Sequence, residues 1–192
     1  ADPETLKTLL NRSLEVREAE LGAAADTGLL GKSMLVDKLR QQISQFASAP
    51  FPVLIEGESG SGKELVATSL HRMSQRASRP FLALNCAAIS ANLVEPTLFG
   101  YVKGSFTGAT TSRAGYFEDA KDSTLFLDET GELPLELQAK LLRVLENGEY
   151  QRVGETQSRM SNARVVAATN RDMRQEIRAG RFRADLYHRL SV

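Results

Sequence analysis

The 192-residue chain is 42% hydrophobic, enough to bury a core, and its length alone favours one domain. Its 24 basic residues balance 24 acidic ones, so no net field draws it to nucleic acid or to a membrane surface, which argues against this segment reading DNA itself. The single cysteine, Cys86, excludes an internal disulfide, and the two histidines fall in no structural zinc spacing, so a reducing cytoplasm suits the chain. The first twenty residues are charged throughout, unlike a signal peptide, and no apolar run approaches the about 20 residues that span a bilayer.

In chain order, Leu6, Leu9, Leu10 and Leu14 recur at helical spacing, and GAAADTG (22–28) reads as a linker. This first segment, 1–28, is a tether to something upstream, a self-pairing helix or a plain solvated helix. From residue 29 onward helix and strand patterns alternate. Val36, Leu39, Ile43, Phe46 and Ala47 form one helical face, and PVLIEG (52–57) reads as a buried strand. FLALN (81–85), TLFLDE (124–129) and ARVVAAT (163–169) are further strands. Pro134 opens a helix whose buried face is Leu137, Leu141, Val144 and Leu145, and Gly148 stops it. Strands separated by helices predict an α/β fold of three layers around a parallel sheet.

GESGSGK (57–63) fits the first seven positions of the phosphate-loop pattern, after an apolar strand and before a helix. Gly57, Gly60 and Gly62, with Glu58, Ser59 and Ser61 between them, let the backbone aim its amides at phosphate oxygens. Lys63 adds an ammonium, and the following helix its positive end. An ordinary Gly-rich turn is the alternative. Glu64 stands where the general pattern has a magnesium-binding hydroxyl, which shifts metal binding elsewhere. TLFLDE offers that place: Asp128 suits magnesium, directly or through water, and Glu129 suits orienting an attacking water. Alone, such a pair is also a capped strand end.

GESGSGKE, GSFTGA (104–109), LFLDE, VVAATNRD (165–172) and GRFRADLYHRL (180–190) occur in one order. Together they resemble the central AAA+ domain of bacterial enhancer-binding proteins, the activators of sigma-54 RNA polymerase, over about residues 28 to 192. The resemblance implies an AAA+ phosphate-loop ATPase core, truncated before its helical lid, with ATP and Mg2+ as cofactors. It implies a nucleotide-binding set of Leu30, Gly31, Gly57 through Lys63, Glu64, Leu65, Thr169 and Asn170, the last two sensing the γ-phosphate. Glu64 is common in this family. Asn85 is expected to restrain Glu129, and Arg183 and Arg189 to reach a neighbouring subunit's nucleotide in a ring, a hexamer by analogy. These arginines are six positions apart, about 600° on a helix, so the loop entering it must set their directions. His188 between them reads as a surface or packing residue.

From chemistry alone GYVKGSFTGA is no more than a candidate binding loop. The resemblance makes Gly104, Ser105, Phe106, Thr107, Gly108 and Ala109 the contact with sigma-54 and its holoenzyme. Ser105 and Thr130 depart from the family's usual Ala and Ile or Val. Cys86 is a reactive thiol beside Asn85 or a small buried hydrophobe. The family's lid with its sensor arginine, its upstream regulatory domain and its DNA-reading helix-turn-helix have no counterpart here. A remodelling ATPase for another polymer, or a nucleotide-gated assembly module, would share the phosphate loop.

Overall fold

The computed structural model describes residues 34–58 and 62–191. The expected N-terminal helix and linker, Leu30, Gly31, Ser59, Gly60 and Ser61 lie outside the described residues. In chain order the elements are α1 (Met34–Ala47), β1 (Val53–Glu56), α2 (Lys63–Arg72), β2 (Phe81–Asn85), α3 (Ala91–Phe99) and α4 (Tyr116–Asp119). There follow β3 (Thr124–Asp128), a 3₁₀ turn (Thr130–Glu132), α5 (Leu135–Asn147), β4 (Glu149–Tyr150), β5 (Arg159–Met160), β6 (Arg164–Thr169), α6 (Met173–Arg178) and α7 (Ala184–Ser191).

The four long apolar runs become one sheet in the order β1-β6-β3-β2, all parallel. Side chains alternate across it. Leu54, Leu125, Leu127, Val165 and Ala167 pack with Val94, Phe117, Leu141 and Leu186 from α3, α4, α5 and α7. Val53, Ile55, Phe126, Val166 and Ala168 pack with Ile43 and Phe46 of α1 and Val66 and Leu70 of α2. This is the expected three-layer arrangement, and it explains why the central strands read as continuous apolar runs: both faces are covered. Arg164, buried at the start of β6, donates from its guanidinium to the carbonyls of Phe46 (2.8 Å) and Ala47 (2.7 Å), closing the C-terminal end of α1. Burial pushes its pKa down to about 10.

Pro134 immediately precedes α5 and Gly148 ends it in the left-handed conformation, as the sequence predicts. The buried face of α5 holds Leu137, Leu141, Leu142 and Val144, while Leu145 is only partly buried. It also holds a polar residue, Gln138, with no exposed surface. Because α7 begins at Ala184, Arg183 belongs to the loop entering the helix and Arg189 to the helix itself. A β4–β5 hairpin, Glu149↔Met160 and Tyr150↔Arg159, escapes the sequence pattern because each strand is two residues long.

Candidate nucleotide site and exposed loop

Parallel strands end on the same side, so the chemistry collects at one edge. Register sets Glu56 beside Thr169 and Asn85 beside Asp128, and Gly57 donates its N–H to the Thr169 carbonyl at 3.2 Å. Lys63 opens α2 with its side chain buried. Its ammonium donates to the carbonyls of Gly57 (2.9 Å) and Glu58 (3.0 Å), which points it into its own loop. Glu64 is exposed in the first turn of α2, and Leu65 packs partly buried against the α1–α2 cluster.

Glu129 adopts φ 54°, ψ 50°, a left-handed conformation that costs a non-glycine residue about 1–2 kcal/mol. Its surroundings hold it there. Asp128 Oδ1 accepts the Glu129 N–H at 2.9 Å, and Glu132 N–H donates to the Glu129 carbonyl at 3.0 Å. Thr130, for which the sequence offers no role, is buried and donates its hydroxyl to the Ala168 carbonyl at 2.8 Å. Gly131 packs closely there: a Cβ would sit 2.9 Å from Arg171 Cδ and 3.1 Å from Thr169 Oγ1, so these side chains would have to give way. The turn after β3 is thus pressed against the end of β6, and the Asn170 N–H reaches the Glu129 carboxylate at 3.5 Å. Burial raises the Glu129 pKa, helped by Asp128 and Glu132 and opposed by Asn170 and Lys63.

Asn85 accepts the Ala87 N–H on its side-chain oxygen at 2.9 Å, a cap on the end of β2, one register step from Glu129. Thr169 is buried and its hydroxyl accepts the Arg171 N–H at 3.1 Å. Cys86 is buried, and desolvation with Asp128 and Glu129 nearby pushes its pKa up to about 12, which makes it a small hydrophobe rather than a reactive thiol. Arg183 forms a two-pronged pair with Asp185 (2.9 and 2.8 Å), and Arg189 donates to the Leu145 carbonyl at 3.0 Å.

The GSFTGA loop stands on a base of three segments. Tyr101 exchanges backbone hydrogen bonds with Arg113 (2.9 and 2.8 Å), while Val153 donates to Gly100 and accepts from Val102 (2.9 and 3.1 Å). Gly104 N–H closes the loop on the Ala109 carbonyl at 2.9 Å. Phe106 is exposed and lies edge-on to Tyr101 at 5.0 Å; Thr107 is exposed at the tip. Val153 belongs to the β4–β5 connection, which Arg152 anchors by a two-pronged pair with Glu118 (2.7 and 2.9 Å). Gly154 at φ 82° lies so close that a Cβ would approach Ser105 Cβ to 2.5 Å. Sequence reading missed this second support; the alternating charges Arg152, Glu155 and Arg159 were its signal.

Fold and site define a phosphate-loop nucleoside triphosphatase domain of the AAA+ class. The chain belongs to the Sigma-54 interaction domain family, which it matches over residues 29–192. It is 54% identical over 174 residues to the anaerobic nitric oxide reductase transcription regulator NorR of Escherichia coli (strain SE11), covering 91% of this chain and 34% of that one. It therefore spans about a third of the curated relatives it matches. NtrX from Brucella abortus, crystallised in complex with ATP, aligns at TM-score 0.76 and 38% identity over 84% of this chain and 34% of that one. The P-loop NTPase domain of the Sigma-54 transport activator from E. coli, 17% identical over 78% of this chain and 98% of its own, shares the fold at TM-score 0.52. Among the described residues no helix is long and apolar enough to cross a membrane.

Proposed function

We propose that this chain is the ATP-hydrolysing motor of a sigma-54-dependent transcriptional activator, working in the bacterial cytoplasm and remodelling sigma-54 holoenzyme through its GSFTGA loop. One juxtaposition carries the reading. Lys63, Asp128, Glu129 and Asn170 gather at one edge of the sheet, while Phe106 and Thr107 are exposed on a loop with its own three-segment base.

Lys63 exchanges its loop carbonyls for the outer phosphate oxygens, joined by the loop amides and the positive end of α2. Asp128 holds magnesium, directly or through water, and the ion supplies charge neutralisation to the phosphates. The donor set fits, because magnesium takes one or two carboxylates and completes its shell with phosphate and water. Glu129 orients the attacking water and draws its proton, and a raised pKa brings it nearer the value a base needs. Thr169 and Asn170 sense the γ-phosphate, Asn85 restrains Glu129, and Arg183 and Arg189 serve a neighbour's nucleotide in a hexameric ring. DNA is reached through a separate helix-turn-helix.

The test traps the full-length protein with a transition-state analogue of ATP and measures sigma-54 capture. Replacing Thr107 with a bulkier residue is expected to leave ATPase activity within about 2-fold and to abolish capture, because substitutions on an exposed tip disturb the fold little. Loss of ATPase with capture retained would contradict the assignment.

A further inference from the structure

Gln138 is a fully buried amide on the first turns of α5, and its side chain bonds to backbone outside that helix. Its Nε2 donates to the carbonyls of Leu133 (2.8 Å) and Arg181 (2.9 Å), and its Oε1 accepts the Arg183 N–H at 2.8 Å. Two acceptors and one donor face it, so only one orientation of the amide satisfies all three. The Leu133 end abuts the turn that follows Glu129; the other two contacts flank Phe182 and end on Arg183. Seven residues further along α5, two helical turns on the same face, the Leu145 carbonyl receives Arg189. One rigid helix therefore carries both arginine positions on a strut rooted beside the catalytic glutamate.

We infer that Gln138 is a positioning residue for Arg183: it fixes where the arginine leaves the subunit and ties that point to the Glu129 turn. The inference rests on the proposed reading that Arg183 acts on a neighbour's nucleotide. It assigns Gln138 to the arginine side because two of its three bonds go to 181–183, whereas Leu133 is held independently by its N–H on the Thr130 carbonyl at 3.1 Å. A buried, fully satisfied amide specifies geometry that an apolar residue of equal size would leave loose.

The test uses Gln138→Met and Gln138→Glu in the full-length protein, with folding and affinity for a fluorescent ATP analogue measured first. Gln138→Met is expected to lower kcat by about 10²-fold with KM within about 3-fold, the cost of a misplaced catalytic group. Gln138→Glu, which keeps the acceptor for the Arg183 N–H, is expected to fall between it and wild type. Mixed rings then locate the defect. Gln138→Met mixed with Glu129→Gln should recover turnover, because an intact arginine from the second protein serves an intact pocket in the first. Gln138→Met mixed with Arg183→Ala should not recover, since neither supplies a placed arginine. The reverse pattern puts Gln138 on the Glu129 side and overturns the proposal; recovery in both mixtures, or in neither, or a variant that binds no nucleotide, also overturns it. The control mixture of Arg183→Ala with Glu129→Gln must recover. Its failure would instead remove the premise that the arginine acts between subunits.

Discussion

At Glu129, left-handed backbone and a raised pKa coincide on one side chain, and both are costs that the fold carries for the site. Glu129→Gln keeps the shape and removes the charge, so hydrolysis is expected to fall by about 10²–10⁴-fold with nucleotide affinity retained, read by turnover and by titration. The stability effect has a definite sign. A carboxyl whose folded pKa lies above its unfolded value favours the fold below the ordinary carboxylate range, and that contribution is lost as pH rises through the folded value. Glu129→Gln should therefore be more stable than wild type at neutral pH, with the difference closing as pH falls toward about 4.3. An equal melting temperature for the two at pH 7 would show that burial of the charge costs nothing. Lys63→Ala removes one ammonium from the phosphates, a charged hydrogen bond of about 1.5–3 kcal/mol, hence about 10–100-fold in affinity. Circular dichroism should be unchanged, because among the described residues the ammonium's hydrogen bonds go to its own loop. Unaltered affinity for an ATP analogue would displace the site.

Between loop and core the working element is the β4–β5 connection. Val153 gives the GSFTGA base its third segment, and Arg152 bonded to Glu118 holds that connection on α4. The Arg152 hydrogen bond, reinforced by the charges of Arg152 and Arg159, lowers the Glu118 pKa. Its contribution is present above the ordinary carboxylate range and lost as pH falls through the lowered folded value. Glu118→Gln is expected to cost about 1 kcal/mol, a small figure because solvent reaches the pair. The Val153 N–H should exchange with solvent faster while ATP affinity stays put; unchanged exchange would mean the pair does not support the loop. This support is also where sequence reading stopped. Long strands were legible because a sheet covered on both faces demands unbroken apolar runs, and the phosphate loop because few residue types make that turn. The hairpin, Gly131 against Thr169, Thr130 on Ala168 and Gln138 were not. Each depends on a partner brought close by folding; of these only the hairpin leaves a trace along the chain, in the alternating charges Arg152, Glu155 and Arg159.

For the whole molecule the governing question is where transition-state charge goes. It spreads over the γ-phosphoryl oxygens, and an inserted arginine typically contributes about 10³–10⁵ in rate. Within one subunit Arg183 is spent on Asp185, an exposed pair of the kind that yields readily to a stronger anion. Gln138 meanwhile fixes its backbone at the entry to α7. On the proposed reading, a subunit with Lys63 and Glu129 but no arginine from outside is an incomplete enzyme. Turnover per subunit should rise steeply with protein concentration through the range in which light scattering reports rings, and level off above it. Arg183→Ala rings should form over the same range yet stay on the low plateau. The 192-residue chain by itself, if it assembles weakly, should hydrolyse ATP slowly at every concentration where it remains monomeric. Specific activity that is flat across assembly, at the rate of the complete ring, would mean that each subunit supplies its own transition-state charge, and the arginines would lose their assigned role.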